Sequence, residues 1–219
     1  MEYADDGRLA ITQHADALTA RIVALVGSRI CHDLISPLGA IGNGLELLRM
    51  AGPAGAVMAG GEEVALVEGA TQAARDRVER FRIAFSAAGS TARLTRAETE
   101  SLIRGFDEAG RLQIEIDIDA EHPRGIVKLG ALSLMCLQSA LPWGGRVQIR
   151  QNGRGWALHA SADRLRRDPA LWGWLAPDRG DLPLPPASEV HFPLLALSAQ
   201  EMGHALDCDI RENAARIAF

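Results

Sequence analysis

His32 and Asp33 stand side by side in the run Arg29-Ile-Cys-His-Asp-Leu-Ile-Ser-Pro, and Pro37 follows the histidine by five residues. Neutral imidazole is a nucleophile, and an ordinary imidazole is largely neutral at cellular pH. A carboxylate beside it can hold the second ring nitrogen as N–H. It can also stabilise the positive charge that grows during attack. The pair therefore has the chemistry to accept and return a phosphoryl group. Apolar residues recur at Leu34, Leu38, Ile41, Leu45 and Leu48, alternately four and three apart. That spacing predicts a helical seam packed against other helices. At ~100° per residue, His32 lies about 200° round the helix from Leu34, away from the seam. Its own face carries Arg29, Ser36, Gly39 and Asn43, which are small or polar and would let a partner protein come close.

Pro37 cannot donate to the carbonyl of Asp33, so the helix is expected to kink or loosen just beyond the histidine. Gly39, Gly42 and Gly44 weaken it further, by roughly 1 kcal/mol each relative to alanine. They are read as allowing close approach to a neighbouring helix. Their order does not fit a dinucleotide fingerprint, and no strand precedes them.

The elements that must position the pair fall into two parts, residues 1–90 and 91–219. The first reads as a helical hairpin. One helix is expected over Ala17–Met50, then a breaker-rich loop over Ala51–Gly61, then a second helix from about Glu62. The seam of the second helix runs through Val64, Val67, Thr71, Ala74, Val78, Phe81 and Phe85. Two such helices bury their stripes poorly alone, so two copies are expected to pair as a homodimeric four-helix bundle. The alternative is an intramolecular bundle using later helices. The small residues of Ala87–Arg93 read as a linker. The second part is mixed, with helices over Ala97–Ala109, Ile126–Leu141, Leu171–Leu175 and Phe192–Ala205. Strands are expected over Leu112–Ile118, Arg146–Arg150, Gly155–Ala160, Leu206–Ile210 and Ala215–Phe219. Asn152-Gly153 marks a hairpin turn, and Asp181–Pro186 an extended loop. The fold class is α+β, a helical hairpin followed by a layer of helices on a sheet.

Composition excludes several functions. The chain has 219 residues, is 47% hydrophobic and carries a formal net charge of −5. That balance argues against a nucleic-acid binder. No uninterrupted apolar run approaches the ~18 residues that a membrane span needs. The start Met-Glu-Tyr-Ala-Asp-Asp lacks a signal-peptide layout. Cys31, Cys136 and Cys208 are odd in number and far apart, as suits reduced thiols in a cytoplasm. No CxxC or HExxH pattern offers a metal site.

The first part resembles the dimerisation and histidine-phosphotransfer domain of bacterial sensor kinases, which carries His-Glu/Asp followed by Pro on its first helix. Arg29–Pro37, with Asn43-Gly-Leu-Glu-Leu-Leu behind it and Arg82-Ile-Ala-Phe on the second helix, is more closely similar to the ChpT-type histidine phosphotransferases of alphaproteobacteria. The resemblance implies a cytoplasmic dimer that passes a phosphoryl group between receiver domains in a cell-cycle phosphorelay. Its implied partners are the receiver of a CckA-like hybrid kinase and CtrA-like and CpdR-like response regulators. The second part resembles the ATP-binding domain of histidine kinases in the order of its elements. Leu141-Pro-Trp-Gly-Gly-Arg-Val-Gln-Ile looks like the end of the kinase N-box and its following strand. Counting back, the magnesium-holding asparagine is replaced by Cys136, and a thiol suits a hard cation poorly. Asp163 comes without the glycines of the adenine-reading box, and no glycine-rich lid follows. The fold can persist while ATP binding is lost.

Other histidines lack a motif. His14 is read as a solvated terminal residue, His122 as loop, His159 as strand surface, and His191 and His204 as helix ends. Cys31 is read as a small apolar filler, the four tryptophans as core, with Trp172 and Trp174 partly exposed, and Arg164–Arg167 as a solvated face. The reading is a phosphoryl carrier. His32 is the nucleophile and Asp33 its orienting acid. Arg29, Ser36, Gly39 and Asn43 form the docking face. The protein needs no cofactor or metal, because magnesium is expected on the partner receiver. The rivals are an ATP-dependent histidine kinase and a non-catalytic dimeric adaptor.

Overall fold

The structure, a computed structural model, describes residues 3–58, 62–86, 92–107, 110–178, 180 and 182–219; for residues 3–15, 51–58 and 62 it describes the backbone alone. Helix α1 spans Tyr3–Met58 and helix α2 spans Glu62–Ala84, and the two pack along each other as the expected hairpin. Helix α1 is longer than expected at both ends. Gly52 and Pro53 do not stop it, because a proline removes one backbone bond and leaves the turns on either side free to continue. Residues 59–61, the end of the expected loop, lie outside the described residues, as do 87–91 of the expected linker.

The predicted seam of α1 divides between two faces. Pro37 and Gly44 are buried against α2, with Leu34, Ile41 and Leu48 half-buried beside them. Leu38 and Leu45 are instead exposed, together with Val23, Ile35, Leu47 and Met50. Of the three glycines expected to admit a neighbour, only Gly44 does so. A Cβ there would stand 2.5 Å from Val67 Cγ2 of α2, whereas one on Gly39 or Gly42 would meet nothing within 4 Å. On α2, Phe81 is buried, while Val64, Leu66 and Val78 are exposed.

Strand β1 (Arg93–Thr95) leads into helix α3 (Arg96–Gly105), and Thr95 and Glu98 close a capping box at its start. Strand β2 (Leu112–Asp117) and strand β3 (Glu121–Pro123) precede helix α4 (Arg124–Ala140). Strands β4 (Gly145–Asn152) and β5 (Gly155–Ser161), helix α5 (Pro169–Gly173), a 3-10 turn at Ala187–Glu189, helix α6 (His191–Glu201) and strands β6 (Asp207–Ile210) and β7 (Ala214–Ala218) complete the chain. The five-stranded sheet has the order β2-β4-β5-β7-β6. Only β2 and β4 run parallel. β1 and β3 form a separate antiparallel pair. The β4–β5 turn lies one residue later than expected: Asn152 pairs with Gly155, and Gly153 takes φ +58° as first central residue.

Helix α4 lies between the sheet and α6, and its burial is nearly complete. Ile83 and Ala84 at the end of α2 enter the same core, so the hairpin is continuous with the second part. Trp156, Trp172 and Trp174 are buried, so the partial exposure expected of Trp172 and Trp174 is not found. Trp143 is instead exposed, with the Arg164 guanidinium 3.9 Å over its ring. Leu165 in the middle of the basic run is buried, and Arg166 pairs with Glu189, so that run is more than a solvated face.

Candidate functional site

His32 projects from α1 with its side chain 85% exposed. Its Nδ1 lies 3.0 Å from Asp33 Oδ1. An ionised carboxylate can only accept, so Nδ1 carries the hydrogen. Nε2 is then the unprotonated nitrogen. The other Asp33 oxygen, Oδ2, is 2.5 Å from Arg29 Nε, one turn earlier. Arg29 also donates from Nη1 to the backbone oxygen of Ser188, at 2.7 Å. Asp33 is thus held by an arginine that is itself held by the second part of the chain.

Pro37 explains a further contact. It lacks the N–H that would have satisfied the carbonyl of Asp33. Arg77 of α2 donates to that carbonyl instead. The proline opens the backbone beside the histidine, and the facing helix closes it with a guanidinium. Sequence reasoning missed Arg77, though the freed carbonyl was the signal that called for a donor there. Ser188 had no signal in the sequence.

Ser36, Gly39 and Asn43 are exposed on the face of His32, as expected. Arg29 is set apart from them and turned toward Asp33 and Ser188. Cys31 is exposed beside His32, so among the described residues it fills no gap.

The other histidines do not join the site chemically. His14 falls where side chains lie outside the described residues. His122 is buried in β3 rather than in a loop; it accepts from Trp156 Nε1 at 3.4 Å, and burial pushes its pKa down. His159 lies exposed on β5, and His204 follows the end of α6. His191 begins α6 but is buried. Its Nε2 lies 3.1 Å from Ser139 Oγ and 3.3 Å from Glu189 Oε2, so Nε2 carries the hydrogen. Burial, with Arg29 and Arg166 nearby, lowers its pKa to about 3. Glu189 also accepts from Ser139 and Arg166. This cluster fixes the turn from which the Ser188 carbonyl reaches Arg29.

Cys136, where the kinase resemblance would put the magnesium ligand, is fully buried within α4, and burial raises its thiol pKa well above the ordinary value. Among the described residues, no group of three or more His, Cys, Asp or Glu side chains is placed to hold a metal ion.

Residues 96–214 match the family described as histidine phosphotransferase C-terminal domain. The chain belongs to this family. It is 34% identical over 132 residues to protein phosphotransferase ChpT of Brucella abortus (strain 2308), a match spanning 59% of this chain and 60% of that protein. A solved structure titled as a bacterial phosphotransferase superposes with a TM-score of 0.68 at 27% identity, covering 91% of this chain and 96% of its own. The family match covers the second part of the chain, and the structural likeness extends over the hairpin as well.

Proposed function

We propose that the protein is a homodimeric histidine phosphotransferase that carries a phosphoryl group between receiver domains on His32. The observation that carries this reading is the ring geometry. Asp33 holds Nδ1–H, which leaves Nε2 bare on a side chain that is 85% exposed. Nε2 attacks the phosphorus of a receiver's aspartyl phosphate, the N–P bond forms, and the P–O bond to the aspartate breaks. The aspartate leaves as a carboxylate. The reverse step delivers the group to a second receiver. The transferred phosphoryl is loosely bonded at the transition state, so the protein's task is positioning and charge. Asp33 fixes the ring and stabilises its growing positive charge. Ser36, Gly39 and Asn43 form the face on which a receiver helix lies. Catalytic metal comes with the receiver. The receivers implied are a CckA-like hybrid kinase and CtrA-like and CpdR-like regulators.

The exposed apolar side chains of the hairpin support dimerisation. Ile35, Leu38 and Leu45 of α1 are exposed along one line, and Val64, Leu66 and Val78 are exposed on α2. A second copy covers them in a four-helix bundle. Asp16–Met50 of α1 is long and apolar enough by composition to cross a membrane. Yet Arg29 and Asp33 lie in the middle of that stretch as a polar pair, which hydrocarbon disfavours. A soluble, cytoplasmic bundle accounts for the same apolar residues.

The buried Cys136 supports a carrier over a kinase, because its helix leaves no oxygen ligand at that position. Labelled phosphate offered in two ways separates the rivals. A carrier takes label from a phosphorylated receiver and none from Mg-ATP alone. Self-labelling from ATP would establish the kinase, and no label from any receiver would favour the adaptor.

A further inference from the structure

Arg29 was expected on the docking face, yet its guanidinium is engaged inside the molecule. Nε pairs with Asp33 Oδ2 at 2.5 Å, and Nη1 donates to the Ser188 carbonyl at 2.7 Å. Its side chain is only 25% exposed, against 85% for His32. A guanidinium fork with two partners in fixed directions restrains both of them. One partner is the acid that holds the ring. The other belongs to the 3-10 turn Ala187–Glu189. Three other elements pin that turn. Glu189 accepts from Ser139 of α4 at 2.6 Å and from Arg166, in the segment after β5, at 2.8 Å. His191 at the start of α6 stands 3.3 Å from the same carboxylate. Pro183, Pro185 and Pro186 lead into the turn, and their locked φ angles stiffen the approach. Surface connections are ordinarily the mobile parts of a domain. Here a fixed support presents the Ser188 carbonyl to Arg29, so little order has to be gained at the moment of reaction.

Neutral imidazole has two tautomers, and only one leaves Nε2 bare. Asp33 selects that one as long as its carboxylate stays beside Nδ1. An aspartate side chain can turn about χ1 to another staggered position. Arg29 opposes that turn by holding Oδ2 while Oδ1 faces the ring. We infer that Arg29 is a positioning residue for phosphotransfer, and that the second part of the chain sets the orientation of His32 through the line Glu189, Ser188, Arg29, Asp33. The inference rests on His32 as the phosphoryl carrier and adds what keeps its ring in register. The second part then contributes to transfer from behind the ring, without touching the transferred group.

Single-turnover transfer from a phosphorylated receiver, over a range of receiver concentrations, separates positioning from docking. Arg29→Ala should lower the limiting rate by at least about tenfold and leave the half-saturating receiver concentration within about twofold. Arg29→Lys can reach one of the two partners but not both, so it should recover part of the rate. Nitrogen NMR of labelled histidine, at alkaline pH where an ordinary imidazole is neutral, should show His32 as the Nδ1–H tautomer in the wild type and as a mixture in Arg29→Ala. Comparison with His32→Ala assigns the signal. Glu189→Gln should shift the tautomers the same way by less, and combined with Arg29→Ala it should add less than about twofold to the loss of rate. Arg166→Ala, at a half-exposed side chain, removes one support of the same turn and repeats the test should Glu189→Gln unfold. A raised half-saturating concentration with an unchanged limiting rate would make Arg29 a receiver contact and overturn the inference. So would an unchanged tautomer in Arg29→Ala, or a double variant whose losses multiply. The tautomer readout needs no receiver. If wild-type His32 takes no label, the proposed function fails, while the spectra still decide whether Arg29 orients the ring.

Discussion

Helix α1 around His32 and helix α4 around Cys136 occupy the two positions where the histidine-kinase pattern would place chemistry, and their surroundings are opposite. On α1, the described buried residues are Ile22, Pro37 and Gly44 alone, and the His32 side chain is 85% exposed. On α4, 14 of 17 residues are buried, Cys136 among them, so this helix is chiefly a packing element. A group that must reach another protein's aspartate needs access. A group that only fills the core needs none. The contrast also shows where each helix finds its burial. α4 is covered by its own chain, and in the proposed dimer α1 depends on a second copy.

That dependence gives the largest expected effect. Leu38→Asp should convert the dimer to a monomer, read by sedimentation, because a charge in an apolar seam costs on the order of several kcal/mol. Phe81 is the wrong place for this test, since it is buried within the hairpin itself. Unchanged dimerisation of the Leu38 variant would place the shared interface elsewhere.

Next comes Asp33→Ala, which leaves the nucleophile in place and removes its orientation. Transfer should fall by about 10²- to 10⁴-fold with the dimer retained. A rate within a few-fold of wild type would show that the imidazole needs no acid beside it.

On the α4 side, Cys136→Asn restores the oxygen ligand in name only. The amide would be buried in an apolar core, so the protein should lose roughly 1–3 kcal/mol in denaturant unfolding. It should still take no label from Mg-ATP. Recovery of self-labelling would show that one residue separates the two activities.

The effect that is smallest at neutral pH, and grows only in acid, concerns the junction. His191 is held neutral, with its pKa lowered to about 3 from an ordinary 6.5. The unfolded chain binds a proton there first, so stability is full above about pH 6.5 and is lost as pH falls toward 3, by about 1.4 kcal/mol per pH unit. Comparing His191→Gln with wild type across that range should show a flatter profile for the variant. Parallel profiles would mean that this histidine does not titrate as its burial requires.

The placement of His32 and Asp33 was legible in the sequence because neighbours on one helix are fixed by the helical repeat. His32, Ser36, Gly39 and Asn43 share a face whatever packs around them. The strands of the sheet were legible from alternation and from the turn glycine at 153. Long-range contacts were not. Arg77 and Ser188 lie 44 and 155 residues from Asp33; the carbonyl freed by Pro37 calls for a donor, but nothing local says which residue supplies it. The 3-10 turn and the short β1–β3 pair were missed because three residues carry no period. The division of the α1 seam was missed because a single apolar stripe can serve two neighbours at once. Trp143 escaped the core because an arginine can cover an indole ring at the surface.

The central claim is that His32 carries the phosphoryl group. Full-length protein incubated with a phosphorylated receiver should acquire label that is acid-labile and base-stable, and that maps to the peptide holding His32. The same incubation with His32→Ala should give none, while that variant remains a dimer. Label persisting in the His32→Ala protein, or mapping to any other residue, would contradict the account.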